Sequence, residues 1–422
     1  MDSRTKALCD FLNAAHSVYH AQAYLAETLK NAGYTRLYEQ DEWALAPGGK
    51  YFLTRGGSAL VAFRVPQGSP KGFLMSASHS DRPTFKVKEN FELAAAYTRM
   101  AVERYGGMLI SPWLDRPLSI AGRVTVETEA GVETKLLDID RDLLLIPNVA
   151  IHMNRQANEG YKWNPAVDTL PLIGAGAAGK LPALLEKEVG GKILGHDLYL
   201  YIRQKASIWG VDEEYISSAA LDDLECAWGC TQGFLKGGDS ASIPVLCVFD
   251  SEEVGSVSPQ GAGSSLLEDT LGRICDGLKL NRGRMSFLVS ADNAHAIHPN
   301  HPEYADPGNA PVMGGGLVIK YNANLSYCTD SVSAAVFRKV CGRAGVKVQT
   351  YHNRADLPGG STLGRISLAH VSVPTVDIGL AQLAMHSCYE TAAVSDAIDL
   401  ETAMAAYYGS TLEATESGFS IL

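Results

Sequence analysis

No stretch of this chain stays apolar for the length that a bilayer crossing requires, so no transmembrane helix is expected within it. No long basic run occurs either, and the net charge is −11, which argues against nucleic acid and anionic membrane as partners. The opening Met1-Asp-Ser-Arg-Thr-Lys-Ala-Leu has no basic segment leading into an apolar one, so no signal peptide is expected. The eight cysteines are scattered, which excludes a regularly spaced disulfide framework. Cys226 and Cys230 stand four apart on an expected helix with no Cys/His pair to complete a metal site, and they read as small apolar residues on one face. Free thiols without an export signal point to a cytoplasmic protein. What is present is ordinary for a globular chain: 46% hydrophobic and 20% charged residues in 422, long enough for two domains with a sizeable core.

Periodicity divides the chain. Leu8, Phe11, Leu12, Ala15, Val18 and Tyr19 recur at helical spacing, which predicts one amphipathic helix over the first thirty residues. Strands are expected at 59–65 and 72–77, separated by the turn signal Pro66-Gln-Gly-Ser-Pro70. From about 90 to 207 the pattern turns β-rich, with strands expected at 122–129, 134–139 and 198–208. The polar stretch 148–165 within it reads as a long loop, a length that usually has a function. After about 210, helices (221–235, 264–278, 332–343, 397–414) alternate with strands (243–249, 285–290, 317–319, 346–351, 373–378). Such alternation predicts an α/β domain with a mostly parallel sheet covered by helices on both faces.

Glu252 and Glu253 follow the apolar run 243–249. Neighbouring carboxylates at the end of a buried strand repel each other and are costly to desolvate, so a cation is the natural partner. A divalent metal also divides the labour between them, one carboxylate ligating and the other moving a proton. Three other polar clusters follow expected strands: His79-Ser-Asp81, Asp292-Asn-Ala-His295 and Met385-His386. In open α/β sheets the crevice beyond the carboxyl ends of the strands is the usual ligand site. Leu221-Asp-Asp-Leu224 opens a helix and is a further candidate, although an aspartate there also serves as a helix cap. Taken singly, each cluster reads more readily as a turn, a cap or a hydrogen-bonded histidine. Jointly they offer two histidines, two aspartates and a glutamate, enough N and O ligands for two zinc-like ions if one carboxylate bridges.

A wider set of motifs makes the resemblance specific. It comprises Ser78-His-Ser-Asp-Arg-Pro83 with Phe85-Lys-Val-Lys88, Ile146-Pro-Asn-Val-Ala-Ile-His-Met-Asn-Arg155 and Leu221-Asp-Asp-Leu224. Phe249-Asp-Ser-Glu-Glu-Val-Gly-Ser256, Asp292-Asn-Ala-His-Ala-Ile-His-Pro-Asn300 and Gly359-Gly-Ser-Thr-Leu-Gly364 complete it. In this order, over nearly the whole chain, they resemble the aspartyl aminopeptidase family of dinuclear zinc metallopeptidases. The resemblance implies a discontinuous zinc-peptidase-like catalytic domain (1–90 and 208–422) and an inserted β-rich oligomerisation domain (91–207). It implies two divalent ions per subunit, zinc with cobalt or manganese as alternatives. Asp222 would bridge them, His79 and Asp292 would complete one metal's ligands, and Glu253 and His386 the other's. Glu252 would be the general base, and Asp81 would orient His79 by a hydrogen bond.

The family also implies that His152 enters a neighbouring subunit's site to steady the oxyanion, within a homo-oligomer that forms a tetrahedral dodecamer. Lys320 matches a lysine facing the substrate side chain, and Tyr327 and His295 match other pocket positions. The expected reaction is removal of the N-terminal residue from a peptide with a free α-amino group, preferentially Asp or Glu. A broad or neutral aminopeptidase, an amidohydrolase of acylated amino acids, and an inactive assembly protein are the alternatives. Two departures from the family pattern bear on the pocket: Asp223 stands where asparagine is commoner, and Arg82 where a small residue is usual.

Overall fold

The run Ile243–Phe249 is buried at every residue, because the strand lies in the middle of a sheet with both faces covered. A computed structural model describes residues 2–281, 285–357 and 359–422. Its largest sheet has nine strands, in spatial order Thr35–Arg36, Lys50–Arg55, Ala59–Arg64, Ile243–Phe249, Gly72–His79, Met285–Ala291, Thr375–Gly379, Leu317–Tyr321 and Val348–His352. The four central strands, Ile243–Phe249 through Thr375–Gly379, run parallel. Antiparallel neighbours, Ala59–Arg64 and Leu317–Tyr321, flank them. The sheet is therefore mixed with a parallel centre, as the alternation of elements predicts.

Successive strand residues feed two cores. Leu60, Leu246, Val248, Phe287 and Val376 pack with Leu224, Trp228, Phe337, Leu400 and Tyr407, from helices Leu221–Lys236, Ser331–Ala344 and Val394–Tyr408. Val61, Phe63, Met75, Val245 and Leu288 face the other way, onto Leu266, Ile274 and Leu363 from helices Leu266–Leu278 and Leu363–Ser367. This period-two division of near-continuous apolar strands fixes the register, since a one-residue slip would exchange the two cores.

A second, antiparallel sheet takes the order Gly131–Asp138, Leu118–Thr128, Ile193–Ile202, Thr84–Leu93, Thr98–Tyr105 and Leu172–Gly174. It closes over its own core, which includes Phe85, Trp113, Ile120, Leu198 and Leu200. Its strand Thr84–Leu93 starts five residues after His79, so the position 90/91 expected as a boundary lies inside a strand of this sheet. A five-stranded sheet, Ser207–Trp209, Tyr215–Ser218, Glu390–Ala393, Ala381–Leu383 and Ala294–His295, joins segments far apart in the chain.

Three expected elements differ. The first thirty residues form two helices, Ser3–Ala14 and Val18–Asn31, because Ser17 turns out of the helix and its hydroxyl caps the second. The expected strand 198–208 is two: Ile193–Ile202 stays in the second sheet, and Ser207–Trp209 pairs with Tyr215–Ser218. The closing helix stops at Tyr408, where Gly409-Ser-Thr411 lowers helix propensity, and a hairpin of Leu412–Thr415 with Gly418–Ile421 follows. Among the described residues no helix is long and apolar enough to cross a membrane.

Candidate metal centre

The four central parallel strands deliver polar side chains to one end of the sheet. His79 is the last residue of its strand and aligns with Phe249, after which the chain turns into Glu252–Val254. Asp292 directly follows Ala291, and His386 lies on the loop between Ala381–Leu383 and Glu390–Ala393. Asp222 opens helix Leu221–Lys236 with non-helical angles (φ −80°, ψ 108°), and its peptide bond to Asp223 is cis. Ala220, Ser251, Ala384 and His386 all have positive φ, so unfavourable backbone collects around this site, as it does at functional centres.

Two groups of candidate ligand atoms result. His79, Asp222 and Asp292 place one atom each within 4.8 Å of one another, and so do Asp222, Glu253 and His386. Asp222 belongs to both. His79 Nε2 lies 3.6 Å from Asp222 Oδ1, while His386 Nε2 lies 3.5 Å from Asp222 Oδ2 and 3.4 Å from Glu253 Oε2. A third group, His79, Glu252 and Glu253, brings the expected general base to the same place.

The donor chemistry fits divalent ions. Asp222 Oδ1 and Glu253 Oε1 are buried without a hydrogen-bond partner, which is costly unless a cation supplies one. The His79 ring is pre-oriented: Nδ1 lies 3.2 Å from the Asp81 carbonyl oxygen and 3.3 Å from its Oδ1. Both are acceptors, so Nδ1 carries a proton and Nε2, facing Asp222, is the nitrogen left to ligate an ion. Burial pulls the His79 imidazole down, but Asp222 and Asp81 outweigh it and its pKa ends well above the usual value. Burial likewise raises Asp222, yet its contacts with His386 and His79 outweigh burial and hold it below the usual carboxylate range. Burial pushes Glu252 up to about 8, with His79 opposing and Asp292 and Asp222 adding. It pushes Asp292 to about 6 against the pull of Lys320, and Glu253 well above its ordinary value, helped by Asp222. A buried cluster this rich in carboxyls holds protons in place of the cations it suits.

Asp81 does more than orient His79. Its Oδ1 accepts the Glu252 N–H at 3.0 Å, and its Oδ2 accepts the Glu253 N–H at 3.1 Å and the Tyr105 hydroxyl at 2.8 Å. One carboxylate thus ties a histidine, the Glu252-Glu253 turn and the second sheet together. Asp223 accepts the His79 N–H at 3.1 Å, and burial pushes its carboxyl well above the ordinary range.

The expected pocket residues are dispersed around this cluster. Lys320 is 1% exposed, and its ammonium donates to the carbonyls of Asp292 at 2.6 Å and Asn293 at 3.2 Å. It also lies 3.7 Å from Asp292 Oδ1 and 5.1 Å over the Tyr327 ring. Lys320 therefore braces Asp292 directly. His295 lines a cavity of about 320 Å³ with Tyr351, Arg354 and Ala384. Arg82 turns away from the cluster to donate to the Ala15 carbonyl. His152 is exposed on the 148–165 loop and joins none of the three groups within its own chain. Cys226 and Cys230 are buried free thiols, Cys226 contacting Asn293 Oδ1 at 3.1 Å.

Sequence reasoning missed Tyr105 and Glu390. Tyr105 ends a strand of the second sheet, and nothing in its local pattern marks it. Glu390 had a signal: an acidic residue four after His386, opening the short Glu390–Ala393 strand of otherwise uncharged residues, where it is buried.

Residues 11–408 match the family described as aminopeptidase I zinc metalloprotease (M18). The chain belongs to the M18 family of aminopeptidases. It is 42% identical to a probable M18 family aminopeptidase 2 of Clostridium acetobutylicum, over 96% of this chain and 98% of that protein. It is 39% identical to one of Pseudomonas putida, over 97% and 99%. Among solved structures it is similar to the chain in a complex of Ape4 and Nbr1 (TM-score 0.93, 35% identity, 96% and 85% covered). It is also similar to the S. cerevisiae mApe1 dodecamer (TM-score 0.84, 25% identity, 96% of each chain). This M18 chain is thus a metal-dependent aminopeptidase, a hydrolase whose site uses divalent metal. Membership decides against an amidohydrolase of acylated amino acids.

Proposed function

We propose that this enzyme holds two divalent ions, zinc first, and removes Asp or Glu from the N-terminus of peptides. The observation that carries the reading is the pair of ligand groups sharing Asp222. His79 and Asp292 complete one ion's ligands and Glu253 and His386 the other's. Ions so held would anchor the free α-amino group, polarise the scissile carbonyl and acidify the attacking water. Glu252 accepts the proton of that water as its oxygen bonds to the carbonyl carbon. It then passes the proton to the leaving nitrogen as the C–N bond breaks. Asp81 supports this by holding the Glu252 N–H and the His79 ring together.

We further propose that His152 donates to the oxyanion of a neighbouring subunit, since within its own chain it is exposed and apart from the cluster. The apolar exposure around it supports a docking loop: Val149, Ile151 and Met153 all face solvent, Met153 at 83%. The similar mApe1 is a dodecamer, and a tetrahedral dodecamer built through the β-rich insert would bring such loops to neighbouring sites. We place the insert within a catalytic domain made of the remainder of the chain, and move its expected start from 91 to about 84 because the strand Thr84–Leu93 belongs to the second sheet. We place the enzyme in the cytoplasm on its free cysteines.

The acidic preference rests on Lys320, Tyr327 and His295. An ammonium already donating to two carbonyls retains one N–H for a substrate carboxylate. That same engagement favours the second reading, a broad or neutral specificity with Lys320 acting only on Asp292. Steady-state kcat/KM on Asp-, Glu- and Leu-aminoacyl substrates decides between them. Faster cleavage of Leu than of both acidic substrates removes the acidic preference and leaves the aminopeptidase intact.

A further inference from the structure

Glu390 is 1% exposed and opens a strand paired with Tyr215–Ser218. Its two oxygens go to two different segments. Oε2 accepts the N–H of Asp222 at 3.0 Å, and Oε1 accepts the N–H of His386 at 2.7 Å. Asp222 is the residue common to both ligand groups, and His386 belongs to the second. The two side chains meet at 3.5 Å, between His386 Nε2 and Asp222 Oδ2. One carboxylate therefore sets the separation of two main-chain nitrogens whose side chains converge on a single ion's position. His386 also has a left-handed backbone (φ +66°), an uncommon conformation for a residue with a side chain. The bond to its N–H is a direct restraint on that conformation. Arg82 lines the same small cavity as Glu390, so a guanidinium shares the pocket behind the clamp.

We propose that Glu390 is a positioning residue for the second metal site, rigidly spacing the bridging carboxylate of Asp222 from the imidazole of His386. The inference rests on the assignment of those two residues as ligands. A carboxylate suits the task because both oxygens accept, whereas an amide of the same shape has one acceptor and one donor. Glu390→Gln thus leaves one of the two N–H groups facing an NH2. The side chains would still reach the ion, but their separation would no longer be held, and supports of this kind typically govern ~10–100-fold in metal affinity.

The test uses the full-length protein, stripped of metal and titrated with zinc against a chromophoric chelator, and with cobalt while its visible ligand-field bands are followed. Wild type should take up two equivalents. Glu390→Gln should bind one of them ~10–100-fold more weakly, with altered cobalt bands, while its metal-free form melts close to metal-free wild type. A merely structural role would lower the metal-free melting temperature and leave affinity and bands unchanged. Binding of both equivalents with wild-type affinity and unchanged bands overturns the proposal. Should the amide variant not fold, Glu390→Asp carries the same test, since it keeps the charge but withdraws the oxygens and must weaken the same equivalent. Failure of wild type to bind zinc overturns the ligand assignment and this inference with it. Normal wild-type binding with an unaffected variant overturns this inference alone.

Discussion

Glu252→Gln should act in opposite directions on turnover and on the stability of the metal-free protein. The turnover effect follows from chemistry: a positioned general base contributes roughly 10²–10⁴ in rate, or about 3–5 kcal/mol of barrier. The stability effect follows from the site. Without metal, burial and the neighbouring Asp292 and Asp222 raise the Glu252 pKa from 4.5 to about 8. A carboxyl whose folded pKa is raised contributes stability that is fully present below its unfolded pKa and is lost as pH rises through the folded one. The loss therefore develops between pH 4.5 and about 8, with about 5 kcal/mol as its ceiling at 1.36 kcal/mol per tenfold. Neighbouring carboxyls share protons with Glu252, which brings the expected gain for the glutamine variant down to a few kcal/mol. Thermal unfolding of the chelated proteins at pH 5 and pH 8 measures it: the two should coincide at pH 5, and the variant should melt higher at pH 8. Turnover of the zinc-loaded proteins is read in parallel. Turnover within tenfold of wild type would falsify the base assignment, and equal melting at pH 8 would remove the claim that this carboxyl is held under electrostatic strain.

His152→Phe should lower turnover without dissociating the oligomer, as size-exclusion chromatography would report. If His152 acts in a neighbour's site, reassembling it with Glu252→Gln protomers should recover activity in about a quarter of sites at equal mixing; no recovery means that it acts within its own chain or only as glue. Gly379→Ala should weaken metal binding and lower the melting temperature, because a Cβ there would lie 2.1 Å from the Asp292 carbonyl oxygen. Overpacking of this kind costs about 1–3 kcal/mol, and a variant with wild-type melting and metal content would contradict that placement of Asp292.

The parallel centre of the main sheet was legible because its strands are buried on both faces. Ile243–Phe249 and the mostly apolar 72–77 are runs long enough to be read without a partner. The polar clusters were legible for the same reason, since charge that directly follows such a run stands out against it. The five-stranded sheet was not. Ala294–His295 and Ala381–Leu383 are two and three residues long, too short for any period, and their pairing is set by distant chain. That sheet carries the end of the Glu390 clamp, so the support of the site was less readable than its ligands. Lys320 was read as a cation aimed at substrate. Its donation to the Asp292 and Asn293 carbonyls depends on the antiparallel neighbour Leu317–Tyr321, whose register no local pattern records.

The second sheet reaches the candidate metal cluster as well as closing over its own core. Strand Thr84–Leu93 begins three residues after Asp81, so the segment that leaves the metal cluster runs straight into that sheet. The partner strand returns with Tyr105, whose hydroxyl reaches the same Asp81, and Leu109 donates its N–H to the His386 carbonyl at 3.0 Å. Between them Gly106, at φ +74°, lies so near Glu253 that an added Cβ would stand 3.1 Å from the glutamate Cβ. Only a residue without a side chain passes there at that backbone angle without pushing Glu253 aside. Both groups of candidate ligand atoms are therefore touched from the second sheet and the segment that follows Tyr105: His79 through Asp81, and Glu253 and His386 directly. A displacement of the second sheet would therefore move His79, Glu253 and His386 together.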